Sequence, residues 1–393
     1  MTLRPLLLLL PLSALAQDDP WDDGAWEEDW GDEEQGIVWS GFAEAGFGTR
    51  FNEDELLDNR NTLEEVRWRV ESGWQPGDVT VSFKADIGYD GIEEDWKADI
   101  RDLTAAFSIG ETVDLKVGRQ VQTWGTGDLV FLNDLFPKDY VSFFAGRDDE
   151  YLKAPSNAVR LTKFADVLNI DFVWTPVFEP DVYLTGERFS FYFPPAGGNI
   201  APDPPFSAPK PDKKFSNGEF ALRLYRTVES TEYAFYAYRG FSKQPMFVPM
   251  NAYGASVRRP VGPGLANAET SYYDSHDGND QLRFLLGYEW EARRNFTVSL
   301  QYYFEQHDPD DKRHMLTNRL TYRAGRNKHA WSLFTFYSPS DDDFYLRPTY
   351  SYRHSDQWSF TVGANLLGGD EQHTFFNQLA DASNAYLRVR FHY

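Results

Sequence analysis

The 393-residue chain contains no cysteine. Without a thiol there is no disulfide framework, no cysteine-ligated zinc or iron–sulfur site and no cysteine nucleophile. A basic excess is lacking as well, since 38 Lys and Arg residues stand against 61 Asp and Glu residues, for a formal net charge of -23. A nucleic-acid-binding face needs clustered positive charge, so the composition argues against nucleic acid as a partner.

Long apolar runs are also missing. The main one, Leu6–Leu10 with its continuation past Pro11 to Ala16, is too short to cross a bilayer as a helix. The mean hydropathy of -0.55 is also too low for a protein made largely of membrane-spanning helices. These two observations exclude a helical-bundle membrane protein.

The first residues have the features of an export signal. Arg4 supplies a positive charge, Leu6–Leu12 an apolar core, and Ala14-Leu15-Ala16 a small-x-small cleavage site. We therefore expect residues 1–16 to be a signal peptide that is cleaved before Gln17. No cysteine follows the site, so a lipoprotein is not expected. An exported chain without a membrane helix is periplasmic, secreted or in a bacterial outer membrane.

Residues 17–36 form an acidic, tryptophan-rich tail, predicted to be periplasmic. Ten of the seventeen residues 18–34 are acidic, with Trp21, Trp26 and Trp30 among them. Such charge density without apolar periodicity is typical of a disordered tail. The alternative is a docking peptide, in which the three tryptophans anchor a periplasmic partner through their large apolar faces.

From residue 37 to residue 393 the chain alternates apolar and polar residues. Clear examples are Val79–Tyr89, Phe296–Phe304 and Trp358–Leu366. Successive side chains of a strand point to opposite faces, so each segment has one apolar and one polar face. The alternation predicts an all-β domain over residues 37–393, and it fits a soluble sandwich as well as a membrane barrel.

Three features favour a transmembrane antiparallel β-barrel. The segments run to about ten residues or more, which suits a bilayer, and aromatic residues stand at their ends. The last segment alternates from Leu387 to an aromatic C-terminal residue, Tyr393, as in strands read by the barrel assembly machinery of bacterial outer membranes. Outer-membrane lipid and that machinery are therefore the expected partners. The aromatic segment ends are Trp74, Tyr89, Trp174, Trp290, Trp331 and Trp358.

The number of segments indicates about eighteen strands, with sixteen as the fallback. With a periplasmic N-terminus, connections after even-numbered strands should be short and those after odd-numbered strands longer. The long connections 49–62, 123–155, 177–217, 241–251 and 367–383 all follow odd-numbered strands, which supports a monomeric barrel of about eighteen strands.

If the apolar positions face lipid, the alternate positions line the lumen, where thirteen basic residues stand against seven acidic ones. Rings of basic side chains are how pores favour anions, although such residues also pair with acidic neighbours across strands. The basic residues are Arg67, Arg69, Lys84, Lys116, Arg160, Arg223, Arg283, Arg319, Arg323, Arg347, Arg353, Arg388 and Arg390. The acidic residues are Glu44, Glu71, Asp86, Asp102, Asp114, Asp171 and Glu289.

Residues 119–156 are unusually apolar for an external loop. A water-exposed loop would not carry that many large apolar side chains without a partner. We expect the segment to fold into the barrel and narrow it, the alternative being that it packs over the rim. The proline-rich loop 177–217 is instead expected to form a surface cap or a binding lid.

The same segment carries a family resemblance. Gly118-Arg119-Gln120, Trp124-Gly125, Asn133, Pro137 and Asp139 resemble a block of a proteobacterial outer-membrane barrel family. That family is related to alginate-export porins, most members have no assigned function, and some are encoded beside RND-type exporters. The resemblance implies a porin-like barrel that transports organic compounds. The candidate constriction residues are Arg119, Gln120, Trp124, Asp128, Asn133, Asp134, Asp139 and Arg147.

Nothing in the sequence favours catalysis or a cofactor. No histidine stands near a serine in a recognisable nucleophile context, and no phosphate loop, EF-hand or haem motif occurs. We expect neither catalytic nor metal-ligating residues. Three hypotheses follow: a channel for anionic or amphipathic small molecules or sugar-acid polymers, a structural sheath that docks a periplasmic export or electron-transfer partner, and, least favoured, a barrel enzyme.

Overall fold

Residues 37–307 and 311–393 are described by a computed structural model of the chain, and twenty β-strands run through them. The predicted signal peptide and the tail with Trp21, Trp26 and Trp30 lie outside the described residues. The strands are β1 (Val38–Arg50), β2 (Asn61–Trp74), β3 (Val79–Asp90), β4 (Asp95–Ile109), β5 (Val113–Val121), β6 (Pro155–Lys163), β7 (Asn169–Thr175), β8 (Phe191–Phe193), β9 (Gly198–Ile200), β10 (Glu219–Val228), β11 (Thr231–Phe241), β12 (Pro249–Val261), β13 (Gly264–Ser275), β14 (Gln281–Arg293), β15 (Phe296–Gln306), β16 (Lys312–Ala324), β17 (His329–Ser338), β18 (Asp343–Arg353), β19 (Trp358–Gly369) and β20 (Asn384–His392).

Eighteen of these strands form one closed antiparallel barrel. In the barrel, consecutive strands pair from β1 to β7 and from β10 to β20, and β7 pairs with β10. The sheet closes because β1 pairs with both β2 and β20. The short strands β8 and β9 form a separate hairpin. The predicted all-β barrel of eighteen strands is therefore confirmed. Closure leaves no unpaired sheet edge, as a bilayer requires.

Short and long connections alternate around the barrel. The turns that follow β2, β4, β6, β10, β12, β14, β16 and β18 contain two to five residues and all lie at one end. The two longest connections, residues 122–154 and 176–218, lie at the opposite end and follow β5 and β7. In bacterial barrels the short-turn end faces the periplasm.

The two faces of each strand differ as the alternation predicts. On β2, Trp68 is 52% exposed on the outer surface, whereas the neighbouring Arg69 is 1% exposed and points into the lumen. Apolar side chains such as Leu103, Phe235 and Leu300 are likewise exposed outside. This outer surface suits hydrocarbon, because water-soluble proteins rarely expose so much contiguous apolar area.

Within the described residues, no helix combines the length and the apolar character that a membrane crossing would need.

The C-terminal residue stabilises the junction of β1 with β20, where the barrel closes; this junction is called the seam. Tyr393 and Gly41 exchange backbone hydrogen bonds of 3.1 and 3.2 Å. The Tyr393 hydroxyl donates to the Arg69 carbonyl at 2.7 Å and accepts from Trp68 Nε1 at 2.6 Å. A Cβ atom at Gly41 would lie 2.0 Å from the Arg69 carbonyl oxygen and 2.8 Å from the Tyr393 hydroxyl, so only glycine fits there.

The variant Tyr393→Phe is expected to lower the free energy of unfolding by ~1–3 kcal/mol, because it removes both hydroxyl hydrogen bonds. Urea unfolding of the barrel in phospholipid vesicles measures the change. The control is Tyr337→Phe, which removes a hydroxyl from an exposed tyrosine on β17. Equal stability of the two variants would show that the seam contacts contribute nothing.

Candidate functional site

The connection between β5 and β6, residues 122–154, runs inside the barrel and is called the inner loop. Its side chains reach strands far around the wall. Trp124 Nε1 donates to Asp171 at 3.2 Å on β7, and Thr126 Oγ1 donates to Glu269 at 2.9 Å on β13. The inner loop therefore folds into the lumen, as predicted, and does not pack over the rim.

Apolar packing holds the inner loop against the wall in the half of the barrel nearer the long loops. The Phe143 ring lies 5.5 Å from the Tyr345 ring and 6.5 Å from the Phe336 ring, and all three are buried. On another part of the wall, the Trp124 ring lies 6.2 Å from the Tyr236 ring of β11. Burying one such side chain contributes ~1.5–3 kcal/mol, so these clusters fix the loop firmly.

A short helix, α1 (Tyr140–Ala145), places Phe143 within this packing. The Asp139 carboxylate caps its first turn by accepting from the Ser142 backbone at 2.7 Å and from the Ser142 hydroxyl at 2.6 Å. The helix ends at Gly146, whose φ of 85° is left-handed. A Cβ atom at Gly146 would lie 2.3 Å from the Tyr386 ring, so the close approach to the wall also requires glycine.

After the helix come three consecutive carboxylates, Asp148–Glu150, which we call the acidic triplet. They pair with arginine side chains that the barrel strands point into the lumen. Asp148 Oδ2 lies 3.0 Å from Arg388 Nη1 and 2.8 Å from Arg390 Nη2. Asp149 lies 2.9 Å from Arg347, and Glu150 pairs with Arg69. The inner loop thus supplies negative charge directly to the basic face that the alternation predicts.

The arginine side chains of the wall favour the charged form of Asp149. Burial by itself raises the pKa of Asp149, but Arg347 and Arg319 outweigh it and hold the pKa below its ordinary value. Arg319 also makes a bidentate pair with Asp128, at 2.7 and 2.8 Å. Two separate parts of the inner loop are therefore held through the same arginine.

The other predicted lumen cations pair mainly with wall residues. Arg160 lies 2.6 Å from Asp171, Arg223 lies 2.8 Å from Glu232, and Arg283 lies 3.1 Å from Glu305. Three further pairs are Lys84 with Glu71 at 3.4 Å, Lys116 with Asp102 at 3.3 Å, and Arg67 with Glu65 at 3.0 Å. Arg323 and Arg353 lie at or next to the last residues of β16 and β18, near the short-turn end.

The predicted basic excess of the wall is therefore smaller than the alternation indicates. Glu65, Glu269 and Glu305 are buried partners of lumen or inner-loop groups, although the sequence count omits them. The acidic triplet and Asp128 add further negative charge. The lumen is a network of paired charges, since unpaired ions would be costly in so confined a space.

A cavity of about 420 Å³ remains between the inner loop and strands β2–β5, and we call it the side cavity. Tyr151 lines it, with the Arg67 guanidinium 4.0 Å and the Arg101 guanidinium 4.7 Å from its ring centroid. Charges of both signs line the cavity. The lining cations are Arg67, Lys97, Arg101, Arg119, Arg147 and Arg188, and the lining carboxylates are Glu65, Asp86, Asp90, Glu93, Asp99, Asp139, Glu179 and Glu187.

The second long loop, 176–218, closes this cavity on its outer side. Arg188 is buried, pairs with Asp90 and donates to the Thr62 carbonyl at 2.8 Å. Phe189 is 1% exposed and packs in the same apolar cluster as Phe143. The segment joins no barrel strand, as its prolines predict, but it reaches into the mouth of the barrel where the sequence suggested a surface cap.

The eight candidate constriction residues divide into two groups. Arg119, Asp139 and Arg147 line the side cavity. Arg147 donates to Glu65 at 2.9 Å and to Asp90 at 3.1 Å, which ties the inner loop to β2 and β3. The other five do not line the cavity. Trp124, Asp128 and Asn133 attach the inner loop to the wall. Asp134 pairs with Lys138 within the loop, and Gln120 of β5 donates to the Ala158 carbonyl of β6 at 3.2 Å.

The strongest of these anchors involves Glu269, which the sequence did not suggest. Its carboxylate accepts from the Thr126 backbone at 2.7 Å, from the Asn133 backbone at 3.0 Å and from Asn133 Nδ2 at 2.8 Å. No local pattern marks this residue, because its partners are more than 130 positions away in the chain.

The sequence pattern also fails to predict Arg101 as a lumen residue, for a different reason. The pairing of β3 with β4 shifts by one residue, with Lys84 opposite Asp102 and Ala85 opposite Ile100. Arg101 is the extra residue of this bulge, and it donates to the Glu150 and Lys153 carbonyls at 3.0 and 2.8 Å. A bulge breaks strict alternation, so a count with period two passes over this residue.

Asp181 of the second long loop anchors the inner loop from outside. Its carboxylate accepts from the Lys138 backbone and from Gln244 Nε2, both at 2.7 Å. Burial raises the pKa of Asp181 to about 6, although the charges of Lys138 and Lys243 oppose the rise.

This anchor is expected to weaken as the pH rises. The ordinary pKa is 3.8, so the docked carboxyl binds its proton more tightly than the undocked one. The extra stability, ~3 kcal/mol, is complete at low pH and is lost as the pH rises through about 6. Hydrogen exchange of the Lys138 amide, corrected for intrinsic rates, should lose protection over this range. Asp181→Asn should flatten the dependence, and an unchanged slope in this variant would contradict the assignment.

Among the residues that the structure describes, no group of three or more His, Asp or Glu side chains is placed to hold a metal ion.

Comparisons with known proteins agree on the fold. No protein-family model and no curated protein matches the chain. OccAB3 of Acinetobacter baumannii is 12% identical, covers 91% of this chain and 99% of its own, and gives a TM-score of 0.55. OccK5 (OpdH) of Pseudomonas aeruginosa is 12% identical, with 91% and 97% covered and a TM-score of 0.53. At this identity the likeness shows the fold alone. The suggested relation to alginate-export porins and RND-type exporters stays a prediction.

Proposed function

We propose that the protein is an outer-membrane channel for anionic or amphipathic small molecules. The observation that carries the proposal is the side cavity, which lies inside a closed barrel and presents cations, carboxylates and the Tyr151 ring together. A solute with a charged and an apolar part would find partners for both. Bacterial outer-membrane barrels use their lumen in this way, with the lining setting selectivity.

The size of the side cavity favours small molecules over sugar-acid polymers. At about 420 Å³ it falls within the range of ordinary ligand pockets. A polymer would have to displace the inner loop, whose Phe143 and Phe144 are buried against the wall. We therefore infer that polymers pass only when the inner loop is displaced.

The location that we propose for this channel is the bacterial outer membrane. The apolar outer surface supports lipid as a partner, and the seam at Tyr393 gives the C-terminal strand a part in closure. We also propose that the barrel assembly machinery recognises the C-terminal strand.

Single-channel recording in planar bilayers tests the proposal. The mature chain from Gln17 is compared with a variant in which residues 127–150 are replaced by a short Gly/Ser linker. We expect conductance in the wild type and a larger conductance in the variant. The control removes residues 209–214 from the exposed part of the second long loop.

Two outcomes would overturn the channel proposal. An absence of conductance in both proteins, with folded barrels in the membrane, would favour the sheath hypothesis, in which Trp21, Trp26 and Trp30 of the tail 18–34 dock a periplasmic partner. Turnover of a substrate without conductance would instead favour the barrel enzyme.

A further inference from the structure

The outer wall of the barrel carries a concave apolar groove of about 420 Å³ on strands β15–β19, called the outer groove. It lies on the lipid-facing side, since Trp331 and Val362 in its lining are 41% and 47% exposed. A smooth barrel wall offers lipid a convex surface, so a pocket of this volume needs a local cause.

Pro348 supplies that cause. The pairing of β18 with β19 is interrupted between the Leu346–Leu366 pair and the Thr349–Gly363 pair. Proline has no N–H to donate to a sheet ladder, and so breaks one where it stands. Ala364 lines the groove beside Pro348, and these two small side chains leave the wall recessed.

Stacked aromatic rings form the floor of the outer groove nearer the short-turn end. The Trp331 ring lies 5.6 Å from the Tyr322 ring and 5.1 Å from the Tyr350 ring, both stacked. His329 continues the stack towards Tyr352 at 4.9 Å. Such rings are typical of the boundary between hydrocarbon and headgroups.

Positive charge is concentrated in the two short turns next to this floor. Arg294 lies two residues before Phe296 of the groove lining, and Lys328 lies three residues before Trp331. Arg326 belongs to the same turn as Lys328, and Arg293 precedes Arg294. The other six short turns of the described residues contain neither lysine nor arginine, although Lys163 and Arg353 end the strands before two of them.

The charges of these two turns stay available at the surface. Arg294, Arg326 and Lys328 in the turns and Arg293 at the end of β14 are all exposed. The acidic neighbour Glu291 accepts a hydrogen bond from the Asn295 backbone at 2.6 Å. At about 3.3 Å per residue along a strand, the cations stand roughly 7–13 Å from the groove, a distance that one lipid molecule spans.

We propose that the outer groove binds an acyl chain of an anionic phospholipid, whose phosphate is held by the basic turns. The short-turn end faces the inner leaflet, which places a phospholipid there and not a lipopolysaccharide. A second copy of the chain is disfavoured, because a stable interface needs an area near 1,000 Å² or more and a matching protrusion. Basic residues beside the membrane surface attract anionic lipid headgroups.

Native mass spectrometry of the protein from nanodiscs tests the proposal, with phosphatidylglycerol and phosphatidylethanolamine as the probes. The wild type should retain one phosphatidylglycerol at least about tenfold more strongly than phosphatidylethanolamine. The triple variant Arg294→Gln, Arg326→Gln, Lys328→Gln should lose this preference, and Ala364→Leu should lose retention of both lipids. Heat-modifiable mobility confirms folding, and conductance should be unchanged because the groove lies outside the lumen.

Matched controls separate the site from general effects. Lys210→Gln, Lys213→Gln, Lys214→Gln removes three charges from an exposed external loop, and Ala105→Leu enlarges an alanine on β4, away from the groove. Both controls should retain phosphatidylglycerol. Equal retention of the two lipids by the wild type, or wild-type retention by the charge variant, would overturn the proposal. A dimer that excludes lipid would assign the groove to a second copy and overturn it as well.

Discussion

Replacement of the acidic triplet by amides, as Asp148→Asn, Asp149→Asn and Glu150→Gln, is expected to make the proposed channel strongly anion-selective and to raise its conductance. The triplet pairs with Arg388, Arg390, Arg347 and Arg69, so its neutralisation leaves these guanidinium groups without their loop partners. Arg347 would then face the lumen without a carboxylate partner, whereas Arg69 would keep Asp86 at 2.7 Å and Arg390 would keep Glu44 at 2.8 Å. The lumen would gain three positive charges overall, and the inner loop would lose its charged attachment to the wall.

The size of the effect follows from elementary electrostatics. One charge about 10 Å from a permeating ion contributes ~1.7 kcal/mol at an effective dielectric constant near 20. Three such charges, screened by salt, should raise the chloride-to-potassium permeability ratio roughly fivefold or more. Reversal potentials across a KCl gradient measure this ratio directly, and a lower salt concentration should enlarge the difference.

A matched triple variant distinguishes lumen charge from net charge. Asp277→Asn, Asp280→Asn and Glu371→Gln removes three carboxylates from exposed external loops. It changes the total charge by the same amount but should leave the reversal potential close to that of the wild type. If the two variants shift it equally, the acidic triplet does not control selectivity.

The barrel itself was predictable because its signals are local. The alternation in Val79–Tyr89 or Trp358–Leu366 identifies a strand without knowledge of any other segment, and the parity of connection lengths fixes the count. The inward fold of residues 119–156 was also predictable, since large apolar side chains such as Phe143 and Phe144 need a partner that an external loop would not provide.

The charge network was not predictable, because it depends on which distant residues the closed barrel brings together. Asp149 meets Arg347 across 198 positions and Asp148 meets Arg388 across 240. The run Arg147-Asp148-Asp149-Glu150 matches no motif, yet it is where the loop meets the wall. A one-residue bulge was enough to hide Arg101. Long-range pairing and local irregularity are what a period-two pattern omits.

The arrangement also explains how a strongly acidic chain can have a lumen rich in arginine. The strands place basic side chains inside, and the inner loop then supplies carboxylates of its own to five of them, namely Arg69, Arg319, Arg347, Arg388 and Arg390. In the proposed channel, a permeating anion would compete with the acidic triplet for the same guanidinium groups. Its selectivity would then depend on the position of the inner loop as much as on the wall.

The double variant Phe143→Ala, Phe144→Ala is expected to release the inner loop while the barrel stays closed. Both rings are buried, and they lie 5.5 and 5.6 Å from the Tyr345 ring. Truncating a buried phenylalanine to alanine costs ~3–5 kcal/mol, so the loss exceeds what the remaining attachments of this part of the loop are expected to supply. The strand ladders do not depend on these rings, so heat-modifiable mobility should persist.

Two measurements follow the released loop. Conductance should rise and fluctuate, and trypsin should cut after Arg147, which is largely buried in the wild type. The control Phe215→Ala, Phe375→Ala removes two rings that are 75% and 46% exposed, and it should change neither result. Loss of the folded band in the first variant alone would show that the inner loop is part of the core that holds the barrel together. An uncut loop with unchanged conductance would show that the ion pairs to Arg69, Arg347 and Arg388 suffice to hold it.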